Sequence, residues 1–276
     1  MAEADRVPAG INPDVPSVAR MYDYYLGGRD NFASDREAAE KMIEIGRAMG
    51  NDARQIALAN RGFLGRAVRM LAEAGVRQFI DIGAGLPTQD NVHQVAQRQA
   101  PGSRIVYVDN DPIVLTHARA LLARDPDVLA VEGDLKDVDA ILDDPRVTGH
   151  LDLTQPFAIL LVAVLHFIPD NAEADRIAAR VRARLGTGGH LVLSHLYEGN
   201  ASDGAAAKAS NKVYSGTASG GIAARGYDDI APYFAGLDLL GPGIVRVADW
   251  TADASPDGSY DFVKSGILAG VGRVPA

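Results

Sequence analysis

The chain contains no cysteine among its 276 residues. Without thiols it can form no disulfide framework, thiolate metal site or cysteine nucleophile, a composition that fits a reducing compartment. The chain also has no excess of positive charge, because it contains 27 Lys and Arg and 36 Asp and Glu, for a formal net charge of −9. A chain of this charge repels a phosphate backbone, so we expect no nucleic-acid partner.

Long hydrophobic runs are absent as well. The longest, residues 157–168, spans twelve positions and includes His166, whereas a membrane-spanning helix needs about twenty. We therefore expect a buried strand there and no membrane association. The first ten residues lack the apolar stretch of a signal peptide, which predicts a cytoplasmic protein.

The most informative motif is a short apolar strand that runs into Asp81-Ile82-Gly83-Ala84-Gly85. Two glycines at this spacing let the backbone turn sharply and bring a ligand close to the main chain, as in the first βα turn of open α/β sheets. The dinucleotide fingerprint has a third glycine where this chain has Thr88. The motif therefore indicates a nucleotide-type pocket and favours a ligand other than a dinucleotide.

A second strand, residues 104–108, ends in Asp109-Asn110-Asp111-Pro112, and Asp109 lies 26 residues after Gly83. In a parallel sheet this spacing places a carboxylate where a ribose presents its hydroxyl groups. The acidic residue and the glycine turn together predict nucleoside binding.

From residue 78 onward, strand-like runs alternate with helical patterns, which is typical of a parallel sheet covered on both faces. We predict strands near 78–82, 104–109, 128–132, 157–163 and 190–195, and helices near 89–99, 111–123, 137–142 and 171–184. The pattern is looser after 196, where an Ala/Ser/Gly-rich stretch reaches about 221 and a short helix is predicted near 227–235. Residues 237–247 and 266–271 are compatible with a terminal β-hairpin.

About 75 helical residues precede the first strand. Ser34 with Glu37 predicts a capping box, and Asn51 is predicted to cap a long helix that runs to Ala74 and stops at Gly75. Further upstream, one helical face is apolar and rich in tyrosine: Val18, Met21, Tyr22, Tyr25 and Leu26. This face either packs on the sheet as ordinary core or forms a lid over the pocket, with residues 17–36 closing on the ligand.

These motifs resemble the actinobacterial S-adenosylmethionine-dependent methyltransferases formerly classed as a domain of unknown function. The resemblance covers nearly the whole chain and is most specific in residues 19–32, ARMYDYYLGGRDNF, followed by 81–88, DIGAGLPT, and 107–112, YVDNDP. Residues 132–135, 165–167 and 241–250 are also similar to that family. One difference follows Trp250, where Thr251-Ala252 replace the Arg-Pro that is common there.

The resemblance implies an α/β fold: a Rossmann-like class I methyltransferase whose seven-stranded, mostly parallel sheet has helices on both faces and its last strand inserted antiparallel. It also implies S-adenosylmethionine as cofactor. We expect an N-terminal helical cap over residues 1–76 and the cofactor-binding domain over 77–276, together forming one compact unit.

The resemblance implies cofactor contacts in the glycine turn and after the second and third strands. Asp109 would accept hydrogen bonds from both ribose hydroxyl groups, and Gly83 and Gly85 would pass close to the methionine part. If residues 17–36 form a lid, Tyr22 and Asn31 would touch the cofactor, and Tyr22 and Tyr25 could face the sulfonium charge. The remaining implied contacts are Asp81, which orients the loop or reaches the amino group through water, Pro87 in that loop, Asn110 beside the adenine, and Asp134 and Leu135, which bind the adenine edge. For Asp134 the alternative is a turn cap.

Catalysis of methyl transfer requires mainly alignment of the acceptor, so a general base is optional. His166 and His195 are candidate bases because each is predicted near the end of a strand, at the edge that addresses the substrate. The alternative for each is a structural histidine in an apolar run. The six histidines share no ligand spacing, so we expect no metal site.

The resemblance therefore predicts a methyltransferase that acts on an unidentified acceptor, with a small-molecule substrate as the expected partner. An alternative is a non-catalytic S-adenosylmethionine-binding regulator or sensor, because no base is obligatory. A nicotinamide oxidoreductase is disfavoured by Thr88 and by the tyrosine-rich N-terminal element. Ligand-induced thermal stabilisation distinguishes these cofactors, and an acceptor screen distinguishes an enzyme from a sensor.

Overall fold

The structure is a computed structural model that describes residues 11–87, 90–122, 125–199 and 204–275. Its strands are β1 Gln78–Ile82, β2 Arg104–Asp109, β3 Val128–Glu132, β4 Ala158–Val162, β5 His190–Tyr197, β6 Asp238–Arg246 and β7 Gly266–Arg273. They form one seven-stranded sheet of order β3-β2-β1-β4-β5-β7-β6. The first five strands pair in parallel, and β7 is antiparallel to both of its neighbours. The predicted fold class is confirmed.

Ten α-helices lie in the described ranges: α1 Val18–Tyr25, α2 Ala33–Ala48, α3 Ala53–Glu73, α4 Val92–Gln99, α5 Pro112–Leu122, α6 Val138–Leu142, α7 Pro145–His150, α8 Asn171–Arg184, α9 Gly204–Tyr214 and α10 Tyr227–Ile230. Short 3₁₀ turns follow β4 at Leu165–Phe167 and α10 at Ala231–Phe234. No described helix is both long and apolar enough to cross a membrane.

The sheet core has two layers because adjacent strand residues point to opposite faces. Ile80 and Ile82 face a cluster that includes α6, α7 and α8, whereas Phe79 faces a cluster built on α3, α4 and α5. Asp81 shares the face of Phe79 and thus points toward α3. This alternation places the acid of the glycine motif beneath the N-terminal helices.

The predicted strand positions agree with β1 to β5 within two residues, and the C-terminal hairpin is confirmed as β6 and β7, with a register irregularity between Leu240 and Val245. The predicted helix 89–99 begins at Val92, and its first residue, Gln89, lies outside the described residues, as does Ala123 at the end of the predicted helix 111–123. Helix α9 was not predicted, since its sequence was assigned to a loose Ala/Ser/Gly-rich stretch.

Two predicted helix caps were wrong. Helix α2 starts two residues earlier than the Ser34 cap requires, and Asp35, not Glu37, accepts from the Phe32 backbone N–H at 2.8 Å. Asp35 takes this place because it is also the buried partner of Arg20, at 2.7 Å. Similarly, Asp52 rather than Asn51 caps α3 by accepting from the Arg54 N–H.

Candidate active site

The turn after β1 is built by two glycines in left-handed conformations. Gly83 has φ +74° and Gly85 has φ +67°. The Gly83 N–H donates to the Val108 carbonyl at 2.8 Å, which ties the turn to β2. A Cβ at Gly83 would collide with the Val164 side chain, whereas a Cβ at Gly85 would meet nothing within 4 Å. Gly83 is therefore required by packing, and Gly85 leaves open space beside the main chain.

Asp109 ends β2 directly beside this turn. Its Oδ2 accepts from the Gly85 N–H and its Oδ1 from the Asp111 N–H, both at 2.9 Å. The side chain is buried, and burial raises the pKa of its carboxyl above the ordinary value. A carboxylate offers about four acceptor positions, so its backbone bonds leave acceptor capacity for a ligand.

A cavity of about 540 Å³ opens at the carboxyl ends of β1 to β4, beneath α1 and α3. Eight of the ten predicted cofactor contacts line it: Tyr22, Asp81, Gly83, Gly85, Asp109, Asn110, Asp134 and Leu135. The structure thus brings together residues that lie up to 113 positions apart in the sequence, from Tyr22 to Leu135. A cavity of this size suits a small-molecule ligand.

The other two predicted contacts do not line the cavity. The Asn31 amide donates to Asp23 Oδ2 at 2.9 Å and to the Gly28 carbonyl, and its Oδ1 accepts from Arg36. Asn31 is therefore used inside the cap, where the buried Asp23 carboxylate organises the turn after α1. Pro87 is half-buried at the far end of the glycine loop, next to Thr88, which lies outside the described residues.

Asp81 lies on the floor of the cavity and is buried. Burial raises the pKa of its carboxyl to about 7; the nearby Arg61 acts in the opposite direction, and the Asp109 carboxylate adds to the rise. Near neutral pH this side chain is therefore poised between its two protonation states. A positively charged ligand in the cavity would favour the ionised form.

Asp134 follows β3 and acts as a turn cap. Its Oδ1 accepts from the Lys136 N–H at 2.9 Å, which is the turn cap of the alternative reading. The residue is nevertheless exposed and lines the cavity, so its second oxygen is available to a ligand.

Helix α1 forms the roof of the cavity and is held there by polar contacts. The Ser17 hydroxyl donates to Asp111 Oδ2 at 2.6 Å, and the Ser17 N–H donates to Asp35 Oδ1 at 2.8 Å. Asp35 in turn pairs with Arg20, and both side chains of this ion pair are buried. The N-terminal residues are therefore joined to the loop after β2 at the cavity itself.

A buried hydrogen-bond chain connects the roof to the sheet. The Asn60 amide donates to the Tyr22 hydroxyl at 3.0 Å, and its Oδ1 accepts from Ser194 Oγ at 2.7 Å. Ser194 Oγ also accepts from the Ala163 N–H at 2.9 Å. Ala163 has φ +55°, unusual for a residue with a side chain. Neither Asn60 nor Ser194 belongs to a sequence motif, so sequence reasoning missed both.

His195 is held in one neutral form. Its Nε2 lies 2.8 Å from Arg225 Nη1, and since a guanidinium can only donate, Nε2 accepts. The proton is therefore on Nδ1, which donates to the Leu196 carbonyl at 2.8 Å. Burial, with a smaller effect of the Arg225 charge, lowers the pKa of His195 to about 3. The side chain does not line the cavity and has no lone pair free to take a proton.

His166 is buried, and burial lowers its pKa well below the ordinary value, with further effects of His195 and Arg225. Its Nδ1 accepts from the Leu196 N–H at 3.2 Å, so the neutral ring carries its proton on Nε2. Its one lone pair is thus already used. Both candidate bases are placed as hydrogen-bonded neutral rings, as in the structural alternative.

Metal ligands do not converge in the described part of the chain: no group of three or more His, Cys, Asp or Glu side chains there could hold an ion. Charged side chains of both signs line the cavity instead: Asp81, Asp109, Asp111 and Asp134 beside Arg20, Arg61 and Lys136.

A family model for S-adenosyl methyltransferases matches residues 4–275. The chain belongs to the S-adenosyl methyltransferase family. Its cofactor is therefore S-adenosylmethionine, and the activity of its family is methyl transfer. The cavity fits this cofactor, because the open space at Gly85 admits a ligand to the main chain and the four acidic residues face a molecule with positive sulfonium and ammonium groups.

Solved structures of two relatives are similar over almost their entire length. A putative methyltransferase from Thermobifida fusca is 37% identical with a TM-score of 0.86, covering 98% of this chain and 99% of its own. A DUF574 family protein from Streptomyces avermitilis is also 37% identical, with a TM-score of 0.82, covering 96% of this chain and 100% of its own. An O-methyltransferase family protein from Burkholderia thailandensis, 16% identical with a TM-score of 0.50, covers 92% of this chain and 71% of its own, and shares the fold alone. No curated protein matches the sequence significantly.

Proposed function

We propose that the protein transfers the methyl group of S-adenosylmethionine, bound in the 540 Å³ cavity, to a small-molecule acceptor. The observation that carries this proposal is the position of Asp109. Its buried carboxylate lies beside the open main chain of Gly85 and keeps acceptor capacity beyond its backbone bonds.

Each group at the cavity has a proposed role in binding. Asp109 accepts from the ribose hydroxyl groups, and the turn of Gly83 and Gly85 lies against the methionine part. Asp134 and Leu135 bind the adenine edge, with Asn110 beside the ring. Asp81 balances the positive charge of the methionine part, and Tyr22 presents its aromatic ring to the sulfonium.

S-adenosylmethionine bound there would supply an electrophilic methyl group to an oxygen, nitrogen or carbon atom of the acceptor, with the electron pair of the S–CH3 bond left on the sulfur and the proton of the acceptor passed to solvent. The protein contributes alignment and exclusion of water. Helix α1 provides both, because it roofs the cavity and is fixed to the sheet through Tyr22, Asn60 and Ser194. Neither His166 nor His195 is proposed as a base, since the lone pair of each is already bonded.

Thermal denaturation with three ligands tests the cofactor assignment. S-adenosylmethionine and S-adenosylhomocysteine at 100 times their dissociation constants should each stabilise the protein by about 2.7 kcal/mol, and NAD should have no effect. Stabilisation by NAD alone would overturn the proposal. Turnover of candidate acceptors then distinguishes an enzyme from a regulator or sensor that binds the cofactor without using it.

Three expectations from the sequence stay predictions: the division into a cap over residues 1–76 and a binding domain over 77–276, the small size of the acceptor, and the cytoplasmic location. The bonds between Ser17 and Asp111 and between Tyr22 and Asn60 support a cap that works together with the binding domain.

A further inference from the structure

A second cavity, of about 450 Å³, lies next to the cofactor cavity. Four residues line both: Val18 and Tyr22 on α1, and Ala163 and Phe167 after β4. The two cavities therefore meet at one wall. A molecule in the second cavity would lie across that wall from the proposed cofactor position.

Apolar side chains from several elements dominate this second cavity. Among them are Met42 and Ile45 of α2, Ile56 of α3, Ile222 and Ile267. The charged residues among its described lining are Glu198 and Lys208, and both are solvent-exposed. No buried charge is present in that lining to neutralise an ionic ligand, so a charged group entering the cavity would lose its hydration without compensation.

His166 gives this apolar cavity a directed donor. The side chain is only 5% exposed and lines the cavity. Because its Nδ1 accepts from the Leu196 N–H, its proton is on Nε2, and no described residue accepts from that atom. A ligand oxygen or nitrogen in the cavity could accept a hydrogen bond from this N–H.

Burial lowers the pKa of His166 and keeps this donor in its neutral form, with smaller effects of His195 and Arg225. The buried guanidinium donates to His195 at 2.8 Å and lowers the pKa of both His195 and His166, in addition to the larger effect of burial. His166 therefore stays uncharged through the physiological pH range, and the cavity needs no anion opposite it.

The hydroxyl groups of two tyrosines add a second uncharged polar group to the lining of this cavity. The hydroxyl groups of Tyr25 and Tyr214 lie 3.4 Å apart, and both residues line the cavity. Burial raises the pKa of each, so both remain protonated. One proton serves the bond between them, and the other hydroxyl keeps a proton for a ligand.

We propose that this second cavity binds the methyl acceptor, and that the acceptor is an uncharged, largely aromatic or aliphatic small molecule whose oxygen or nitrogen accepts a hydrogen bond from His166 Nε2. The inference rests on the proposed function, because the shared wall matters only if the first cavity holds the cofactor. His166 is then a specificity-determining residue for the acceptor.

Three bicyclic probes of similar shape test the chemistry of the cavity, with S-adenosylhomocysteine present at saturation. Naphthalene has no polar atom, quinoline has one nitrogen that only accepts, and N-methylquinolinium is a cation. We expect fluorescence titration to show binding of naphthalene and quinoline and much weaker binding of N-methylquinolinium. Equal or tighter binding of the cation would overturn the proposal.

The variant His166→Asn separates the donor from the structural bond. The Asn oxygen can still accept from the Leu196 N–H, but the shorter side chain places no N–H at the position of Nε2. We expect affinity for quinoline to fall about 3- to 10-fold, the range for one neutral hydrogen bond, and affinity for naphthalene to stay unchanged. A parallel loss for both probes would show that His166 is only structural and would overturn its assignment.

A second pair of variants tests the location. Ala224→Trp fills the cavity, since Ala224 lines it, whereas Ala235→Trp makes the same change at an exposed position that lines neither cavity. We expect Ala224→Trp to abolish binding of naphthalene and quinoline while S-adenosylhomocysteine still binds. Ala235→Trp should bind naphthalene, quinoline and S-adenosylhomocysteine as the wild type does. Probe binding that survives in Ala224→Trp would overturn the inference.

Titration of S-adenosylhomocysteine into each sample separates the two proposals. If it binds the wild type but neither naphthalene nor quinoline does, the acceptor site is wrong and the proposed function stands. If it does not bind the wild type, the proposed function fails, and the inference fails with it.

Discussion

The carboxylate of Asp109 is the residue on which proposed cofactor recognition depends most directly. We expect Asp109→Ala to weaken S-adenosylhomocysteine binding by about 1.5–3 kcal/mol, the range for hydrogen bonds to a charged group, as measured by calorimetry. Asp125→Ala is the matched control. Asp125 accepts from the N–H two residues later at 2.9 Å, just as Asp109 does. It precedes β3, however, and so lies near the amino ends of the strands, away from the cavity at their carboxyl ends. Equal losses in the two variants, or none in Asp109→Ala, would refute the ribose assignment.

Substitution of Gly85 tests whether this glycine is needed for the ligand to approach the main chain or only for the backbone conformation of the turn. Gly85→Val places a branched side chain in the open space beside the turn, so we expect it to abolish cofactor binding. Gly102→Val is the control, because Gly102 has φ +81°, also has nothing within 4 Å of an added Cβ, and lines neither cavity. Both variants should lose similar thermal stability, of the order of 1–3 kcal/mol. Retained binding in Gly85→Val would show that the glycine serves only the turn.

Asp81 should make cofactor affinity depend on pH. Its pKa is about 7 in the free protein, and a cation in the cavity favours ionisation, so binding releases a proton at lower pH. Affinity for S-adenosylmethionine should therefore rise as the pH increases toward 7 and level off above it, with a slope of up to about tenfold per pH unit. Asp81→Asn should remove that slope in calorimetric titrations at pH 6, 7 and 8. An unchanged slope in the variant would assign the effect to another group.

The raised pKa of Asp81 also makes the free energy of unfolding depend on pH. The folded protein holds the Asp81 proton more tightly than the unfolded chain, so the stabilising contribution is fully present below pH 3.8 and is lost as the pH rises through about 7. The free energy of unfolding of Asp81→Asn, measured by denaturant titration, should fall less between pH 6 and 8 than that of the wild type.

The sequence identified some residues of the candidate site and missed others. Asp109 and the two glycines follow strands with a regular apolar pattern, so their place at the sheet edge could be predicted. Asn60 and Ser194 lie on α3 and β5 without any motif, and only folding brings them within 2.7 Å. Sequence reasoning likewise could not assign the ring protons of His166 and His195, because Arg225 and the Leu196 backbone decide them.

At the level of elements, α1 and the following turn form the roof of the cofactor cavity. We expect the amide protons of residues 17–36 to exchange more slowly when S-adenosylhomocysteine binds, because the ligand adds contacts to a roof held to the loop after β2 by the bond from Ser17 to Asp111. Hydrogen-exchange mass spectrometry measures this, with strand β6 as the internal control that should not change. Equal protection of 17–36 in both states would leave a static cap.

Helix ends were harder to predict than helices. The capping box on Ser34 and Glu37 was wrong because Asp35 has a long-range partner, Arg20, that local sequence does not reveal. Helix α9 was missed because its residues carry a weak apolar pattern; its Tyr214 nevertheless packs against the cluster of α1 and α2. Both the start of α2 and the formation of α9 therefore depend on contacts between residues that are distant in the sequence.

At the level of the whole molecule, the sheet could be largely predicted and the cavities only in part. Alternating apolar runs fix the first five parallel strands, and the resemblance adds the antiparallel β7. The second cavity had no sequence signal, since its lining comes from α1, α2, α3, α9 and the loops after β4 and β5. Such a surface exists only once these elements are packed together.

A crystal structure of the protein with S-adenosylhomocysteine tests the cofactor site most directly. We expect density for the ligand in the 540 Å³ cavity, with the ribose hydroxyl groups on Asp109, the methionine part along Gly83 and Gly85, and the sulfur toward the wall shared with the second cavity. Ligand density elsewhere, or a ribose that does not contact Asp109, would contradict this assignment.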